Sequence, residues 1–190
     1  MALNPFMRSD NPHLLVVSMT GVKMGDRLVQ IGCVHGGRLA AVAGKVGLSG
    51  RAVLVAPDEA SATRARKGAS DGGVLVEIEV APPTRLPLED AAFDLAVVDE
   101  TGGLLATMRP EDRVIAVREI ARVLRPGGRV VVIGAAPRGG FGALLTRAQS
   151  GPPFVASGQA TLALEADGFK SARMLAEREG LIFVEGIKPR

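Results

Sequence analysis

The sequence predicts an open α/β sheet, doubly wound and mostly parallel, that ends in an antiparallel hairpin. Three observations lead to this fold class. Short apolar runs rich in Val, Ile and Leu alternate with segments of helical spacing, which is typical of parallel strands buried on both faces. A Pro-Gly-Gly stop separates a predicted helix from the strand after it. The two final strand patterns are joined by a turn and not by a helix.

The alternating region contains the predicted parallel strands, which are Leu28–Ile31, Ala52–Ala56, Val74–Val80, Phe93–Asp99 and Arg129–Gly134. Between the first two strands, apolar residues recur at helical spacing and predict a helix with a core-facing stripe. The stripe consists of Leu39, Val42, Ala43 and Val46. In a sheet of this order, a ligand crevice is expected at the carboxyl ends of the strands.

A second helix is predicted from Pro110 to Leu124. Proline suits the first turn of a helix, and Glu111 and Asp112 lie near the positive end of its dipole. The sequence Arg125–Gly128, which reads Arg-Pro-Gly-Gly, cannot continue the helix. The residues predicted to face the core are Val114, Val117, Ala121 and Leu124.

Two further helices and then two strands are predicted after residue 134. The helices are Gly139–Gln149 and Gln159–Asp167 around the loop Ser150–Gly158, and the strands are Ser171–Ala176 and Leu181–Lys188. The strands flank Glu177–Gly180, which has the composition of a hairpin turn. We expect a single domain over residues 1–190, in which an N-terminal segment, residues 1–24, lies over the crevice of a core formed by residues 25–190.

Composition narrows the possible partners and compartments. A hydrophobic fraction of 47% excludes a disordered chain, and a net charge of +3 makes the pI of 9.5 uninformative about nucleic acid. The chain has no Trp or Tyr and six Phe, so few side chains can stack on bases and we expect no nucleic-acid partner. The single Cys33, the lack of a secretory leader and the lack of an apolar run near the ~18 residues of a membrane span predict a cytoplasmic protein.

Three stretches resemble the class I S-adenosylmethionine-dependent methyltransferases, in particular those of type 11. The first is Gly25-Asp26-Arg27 leading through Ile31-Gly32-Cys33 to Gly36; the second is Leu86–Val98; the third, and most specific, is Glu119–Val132. A glycine loop alone would be a weak signal. The resemblance implies a Rossmann-like, doubly wound sheet of seven strands whose last strand is inserted antiparallel. It also implies S-adenosylmethionine as the cofactor.

The glycine loop departs from the family pattern. The resemblance assigns cofactor-binding positions to Gln30, Gly32, Val34 and Gly36. In the family, the first strand ends in an acid where this chain has Gln30, and the loop has glycine at Val34 and a small residue at His35. A β-branched Val34 resists positive φ and occupies space where a ligand approaches backbone, so we expect the loop to narrow the crevice.

The ribose and adenine positions depart as well. The family's second strand ends in an acid that accepts both ribose hydroxyls, and the matching position is Ala56, followed by Pro57. A further acid near the adenine would fall near Pro82. Asp58 or the adjacent glutamate could reach back to the ribose, although both also suit a helix N-terminus. The resemblance therefore implies a degenerate cofactor motif and weak or absent binding of S-adenosylmethionine.

The candidate catalytic residues are His35, Asp99 and Glu100, with His13 as a further possible base. Asp99 and Glu100 follow the fourth strand at the crevice, where they could orient a cofactor amine or a substrate or simply be solvated. His35 could be a base, a ligand gate or a loop residue. Cys33 is expected to be a small buried filler. No metal site is predicted.

Two functions from different classes remain open. One is methyl transfer from S-adenosylmethionine to a small-molecule nucleophile, which depends mostly on positioning and needs a base only for acidic O–H or N–H groups. The other is a catalytically inactive methyltransferase-fold module for binding or assembly, with a protein partner or as a homo-oligomer. A short-chain nicotinamide oxidoreductase is excluded, because that chemistry normally uses a tyrosine and this chain contains none. Asn4–Val22 and Ser150–Gly158 are expected to supply substrate contacts or a lid.

Overall fold

The computed structural model describes residues 12–137 and 154–190. Strands and helices alternate along it as the sequence predicts. The strands are β1 (Arg27–Ile31), β2 (Arg51–Ala56), β3 (Glu77–Val80), β4 (Phe93–Asp99), β5 (Leu124–Ala135), β6 (Lys170–Arg178) and β7 (Leu181–Ile187). The helices are α1 (Leu14–Thr20), α2 (Gly36–Val46), α3 (Glu59–Gly72), α4 (Pro110–Val123) and α5 (Gln159–Ala166), with a 3-10 turn at Glu100–Gly102. The predicted helix Gly139–Gln149, residues 150–153 of the predicted loop and residues 4–11 of the N-terminal segment lie outside the described residues.

The strands form one seven-stranded sheet in the order β3-β2-β1-β4-β5-β7-β6. β1 to β5 are mutually parallel, whereas β7 is antiparallel to both β5 and β6. This arrangement confirms the predicted fold class and the terminal hairpin. The strand order reverses between β1 and β4, which are hydrogen-bonded neighbours, so the loops after these two strands meet at one edge of the sheet.

Buried side chains cover both faces of the sheet, which explains the near-continuous apolar runs of its strands. On one face, Val29, Val98 and Val132 pack with Ile120 of α4 and Leu164 of α5. On the other face, alternate residues of the same strands pack against α1 and α2; they include Leu28, Val97 and Val131 together with Val16 and Val42. Successive strand residues therefore serve opposite layers of helices.

The predicted core face of α4 is partly wrong. Val114 is 38% exposed, whereas Ala116, Val117, Ile120 and Val123 are the buried residues of this helix. Leu124 is buried, but as the first residue of β5. Apolar residues lie on several sides of this helix. The sequence was therefore compatible with two core-facing stripes of nearly the same spacing, and the buried stripe is rotated from the predicted one by about one residue position.

Two strand boundaries differ from the prediction by three residues or more. The third strand begins at Glu77 and not at Val74, because the Val74 N–H donates to Ala69 and closes the end of α3. The fifth strand begins at Leu124, directly after α4, and the Pro-Gly-Gly residues form an irregularity within it: Phe93 pairs with Leu124 and Leu95 with Arg129. An inserted bulge of this kind bends a strand without ending its pairing.

The terminal hairpin closes with a tight turn. Glu179 and Gly180 both have positive φ, 53° and 73°, which is typical of two-residue turns whose twist matches that of the strands. The Ala136 N–H donates to the Gly180 carbonyl at 2.9 Å and ties the turn to the end of β5. The hairpin is thereby continuous with the parallel part of the sheet.

Candidate functional site

The candidate site is the crevice where the strand order reverses. One wall is the loop between β1 and α2, residues 32–35, which we call the β1 loop, and the other is the segment after β4, residues 100–108. Crevices at such reversal points are the usual ligand sites of open α/β sheets. The predicted site residues on these two walls come together, although they are about 65 positions apart in sequence.

Gly32 adopts a positive φ of 78° and approaches the opposite wall closely. A Cβ at this position would lie 3.0 Å from Cδ2 of Leu104 and 3.4 Å from the carbonyl oxygen of Asp99. The Gly32 N–H donates to Val55 of β2 at 2.9 Å. Glycine is therefore needed here for the turn and for contact with the protein's own residues.

Gly36 serves the packing of two helices. A Cβ on Gly36 would lie 2.5 Å from the Arg64 carbonyl oxygen and 2.9 Å from Cα of Gly68, so α2 begins directly against the backbone of α3. At the next position, a Cβ on Gly37 would lie 2.7 Å from Nε2 of His13. Gly36 and Gly37 thus leave room for neighbouring groups of the protein and not for a ligand.

The side chain of Gln30 is hydrogen-bonded to the backbone of the β1 loop. This side chain is 2% exposed, and Nε2 donates to the carbonyl oxygen of Gly32 at 2.9 Å. An acid at this position could not donate that bond. The neutral amide is therefore suited to a structural contact within the loop.

Cys33 is anchored from both sides by α3. Its N–H donates to Oγ of Ser61 at 3.0 Å, the same hydroxyl donates back to the Cys33 carbonyl at 3.2 Å, and Nε of Arg64 donates to that carbonyl at 2.9 Å. Burial, followed by the nearby Asp99 carboxylate, raises the pKa of the Cys33 thiol to about 11. The thiol is thus protonated at neutral pH and is a poor nucleophile.

Asp99 joins the two walls of the crevice. It is 4% exposed, and Oδ2 accepts the Val34 N–H at 2.8 Å. Oδ1 accepts the Thr101 hydroxyl at 2.5 Å and the Thr101 N–H at 3.3 Å, and it lies 3.6 Å from Nη1 of Arg38. Both oxygens of this candidate catalytic residue are engaged with protein groups.

Val34 occupies space between the walls. The side chain is 41% exposed, and Cγ2 would lie 2.8 Å from a Cβ placed on Gly102 of the facing wall. A larger residue at position 102 would require the Val34 side chain to shift. The branched side chain thus contacts the facing wall where β1 and β4 end, and we predict that it narrows the crevice there.

Glu100 organises the second wall. The side chain is 5% exposed and accepts the N–H groups of Leu105 at 2.5 Å and Ala106 at 3.0 Å. Burial raises the pKa of Glu100, while these two N–H groups act in the opposite direction. Arg113 of α4 donates to the Leu105 carbonyl at 3.0 Å. Both the N–H and the carbonyl of Leu105 are therefore hydrogen-bonded to side chains.

The predicted ribose side has no acid at the end of β2, and the two acids that follow it, Asp58 and Glu59, each contact another group of α3. Ala56 is fully buried at the end of β2, Pro57 is half-buried, and Pro82 is exposed beyond the end of β3. Asp58 caps α3, because Oδ1 accepts the Ser61 N–H at 2.7 Å. The neighbouring Glu59 forms a 3.2 Å ion pair with Arg66 on the same helix.

Two histidines meet at the rim of the crevice. The rings of His13, just before α1, and His35, just before α2, are 5.3 Å apart in an edge-to-face arrangement. Burial, followed by the nearby His35 and Arg38, lowers the pKa of His13. Each of these causes disfavours the imidazolium form of His13.

Two clefts lie away from this crevice. One, of about 550 Å³, is beside Arg51 and Glu77 near the amino ends of β2 and β3, and the other, of about 610 Å³, is between α1 and α2. Within residues 12–137 and 154–190, none of the helices has both the length and the hydropathy that a membrane span needs. Over those same residues, no group of three or more His, Cys, Asp or Glu side chains could hold a metal ion.

Comparison with known proteins decides the family. The model of the methyltransferase domain family matches residues 29–132, which is more than half of the chain. The chain belongs to this methyltransferase domain family. The matched region runs from β1 to β5 and includes both walls of the crevice.

This chain matches only part of the length of its curated relatives. The chain is 34% identical to a 27-O-demethylrifamycin SV methyltransferase from Amycolatopsis mediterranei over 119 residues, which are 62% of this chain and 41% of the relative. It is 32% identical to a ubiquinone/menaquinone biosynthesis C-methyltransferase from Chromobacterium violaceum over 117 residues, 62% of this chain and 46% of the relative. The chain thus spans less than half the length of these two relatives.

A solved structure agrees with the methyltransferase fold. A SAM-dependent methyltransferase from Aquifex aeolicus superimposes with a TM-score of 0.70 and 19% identity, over 94% of this chain and 89% of that chain. At this identity the likeness shows the fold alone. Fold and family together make the chain methyltransferase-like and make S-adenosylmethionine the cofactor to be tested against its residues.

The residues of the crevice do not fit that cofactor in the family's usual way. No carboxylate stands at Gln30 or Ala56, and the acids nearby are occupied, Asp58 by the start of α3 and Asp99 by the β1 loop. Val34 and Leu104 lie against the glycines of the opposite wall.

Sequence reasoning missed several residues that build the site. Thr101, Arg38 and Ser61 complete the polar contacts of the two walls, and Gly102 makes room for Val34. Thr101 carried a local signal, because an aspartate commonly accepts the N–H two residues on in a turn. The other contacts join residues far apart in sequence and have no local signal.

Proposed function

We propose that this methyltransferase-fold chain acts as a binding or assembly module that holds S-adenosylmethionine weakly or not at all. One observation carries the proposal: the carboxylates around the crevice, Asp58, Asp99 and Glu100, each accept N–H groups of the protein's own backbone. A carboxylate oxygen that caps a helix or fixes a loop is less available to select a cofactor. The counterpart of such a module would be another protein or a second copy of this chain.

The chemistry of the lost contacts supports weak cofactor binding. A carboxylate that accepts ribose hydroxyls forms charge-assisted hydrogen bonds, each contributing roughly 1.5–3 kcal/mol. Alanine at position 56 forms none of these bonds, which corresponds to about one to two orders of magnitude in affinity. Gln30 and Pro82 add to the loss, although contacts in one pocket are not additive.

Calorimetric titration with S-adenosylmethionine and S-adenosylhomocysteine tests this proposal. We expect no saturable binding by the wild-type chain up to ligand concentrations of about 1 mM, where the free energy of binding is about −4 kcal/mol. Asp58→Asn is the matched control, because asparagine keeps an oxygen for the Ser61 N–H and removes the charge. Micromolar binding by the wild type would contradict the proposal, and its loss in Asp58→Asn would assign the ribose contact to Asp58.

A second candidate function is methyl transfer to a small-molecule acceptor, and the contact between His13 and His35 favours it. A neutral imidazole at the crevice rim could accept the proton of an acidic hydroxyl as the acceptor is methylated. The test is release of S-adenosylhomocysteine when phenolic acceptors are added to protein and S-adenosylmethionine. This candidate requires turnover that falls by about a hundredfold or more, the usual range for loss of a general base, in His13→Asn or His35→Asn.

A further inference from the structure

Within the described part of the chain, the β1 loop has two firmly held ends. Cys33 is fixed by its hydrogen bonds with Ser61 and Arg64 of α3, and Gly36 is fixed against the backbone of Gly68. Between these anchors lie Val34 and His35, which we call the flap. Both flap residues are exposed, in contrast to the buried Cys33. Val34 and the His35 side chain can thus move while the strand and the helix beside them stay in place.

The His35 carbonyl accepts the Arg38 N–H at 3.1 Å and stays with the start of α2, while three further contacts hold the flap against its surroundings. The Val34 N–H donates to Oδ2 of Asp99 at 2.8 Å, and the Val34 side chain lies against Gly102. The third contact is that of the His35 ring with His13. The bond to Asp99 is the strongest of the three, since its acceptor is a carboxylate and little of it is exposed to water.

Opening the flap would not leave a bare charge behind. When the Val34 N–H departs, Asp99 keeps the hydroxyl and N–H of Thr101, and the guanidinium of Arg38 stays 3.6 Å from Oδ1. The released N–H is on an exposed residue and can bond to water. Opening therefore costs one hydrogen bond, one apolar contact and the contact between the two histidine rings, which is less than the cost of stranding a buried carboxylate.

We propose that the flap is a gate, and that Asp99 is the latch that keeps it closed. In the closed state the Val34 side chain lies against Gly102 beside the ends of β1 and β4, so a ligand enters there after the Val34 N–H has left Asp99. This proposal deepens the proposed function, because it concerns access to the same crevice. It does not depend on which ligand enters.

Hydrogen exchange read by mass spectrometry on the whole chain tests the gate. Asp99→Asn removes the charge from the latch, and we expect exchange in peptides that cover residues 32–36 to become about tenfold faster, as for loss of one charge-assisted hydrogen bond. Asp94→Asn is a matched control at the other end of the same strands, because Asp94 accepts the Arg27 N–H at 2.8 Å. That control should speed exchange near residue 27 and leave the flap unchanged.

Gly102→Ala provides a second variant in which no buried charge is changed. Its Cβ would lie 2.8 Å from Cγ2 of Val34 and should push the flap outward, so exchange at residues 32–36 should again become faster. Unchanged flap exchange in Asp99→Asn and Gly102→Ala, with circular dichroism showing folded proteins, would overturn the gate. Micromolar cofactor binding by the wild type would overturn the proposed function and leave the gate standing, so the two failures are distinguishable.

Discussion

Gly36 and Gly68 lie backbone to backbone where the first turn of α2 meets the middle of α3. A Cβ built on Gly68 would lie 2.4 Å from both the carbonyl carbon and the carbonyl oxygen of Gly36, and one built on Gly36 would lie 2.9 Å from Cα of Gly68. The neighbouring atoms are backbone on both sides, so no side chain can rotate away. This crossing places the start of α2, and with it the β1 loop, at a fixed distance from α3.

Gly68→Ala is therefore expected to destabilise the fold. Alanine favours the helix over glycine by about 1 kcal/mol, but overpacking against backbone costs typically 1–3 kcal/mol, and a 2.4 Å contact belongs at the upper end. The net loss should appear as a lower midpoint in urea denaturation. Ser70→Ala, at an exposed position of the same helix, is the control and should leave the midpoint equal or slightly higher.

Removal of the α3 cap should lower stability independently of any ligand. Asp58→Ala loses the bond from the Ser61 N–H and should cost about 1 kcal/mol, the usual value for an N-cap. Asp58→Asn keeps that bond and should cost much less. Equal midpoints for Asp58→Ala and the wild type in chemical denaturation would show that Asp58 does not stabilise the helix.

Cys33 should resist thiol reagents while the chain is folded. The side chain is 1% exposed and its pKa is raised to about 11 by burial, so reaction with an aromatic disulfide reagent at pH 8 should be slow until urea is added. Because folding raises this pKa, the folded state holds the proton more tightly. Its contribution to stability is complete below pH 9 and is lost as the pH rises to about 11. Cys33→Ser, whose hydroxyl does not titrate there, should weaken that alkaline loss.

Arg122 joins two of the three stretches that resemble the methyltransferase family. From α4 it donates to the carbonyl oxygens of Leu86 at 3.0 Å and Leu88 at 2.8 Å, and it pairs with Glu119 at 2.7 Å. Glu119 in turn accepts the Leu86 N–H at 2.8 Å. A guanidinium can make these bonds together because its donors are held in a planar fork.

Arg122→Lys should consequently destabilise the chain, by roughly 1–2 kcal/mol, since one ammonium leaves several partly buried carbonyl oxygens unpaired. Arg118→Lys is the control, because Arg118 is 71% exposed and makes one ion pair, with Asp167. The hydrogen bond from Arg122 lowers the pKa of Glu119, so this pair stabilises the fold above the usual titration range of a glutamate and ceases to do so as the pH falls through the lowered pKa. The difference between wild type and Arg122→Lys in urea should shrink at low pH.

The sheet was largely predictable from sequence, whereas the interior of the site was not. Strands buried on both faces leave apolar runs, and the runs at β1, β2 and β4 were placed to within one residue. The face of α4 was less certain because Val114 and Ile115 are exposed apolar residues. Contacts such as Val34 with Asp99 or Gly36 with Gly68 depend on distant segments meeting, and local periodicity contains no information about them.

The position of β7 between β5 and β6 has a consequence for biosynthesis. Among the described strands, β7 emerges last from the ribosome, yet it is central and pairs on both sides. Until residues 181–187 emerge, the nascent chain presents β5 and β6 as bare edges that could pair with other chains. The sheet can therefore close only when β7 inserts between β5 and β6, and a chain cut before residue 181 would keep β5 as an unpaired edge that favours aggregation.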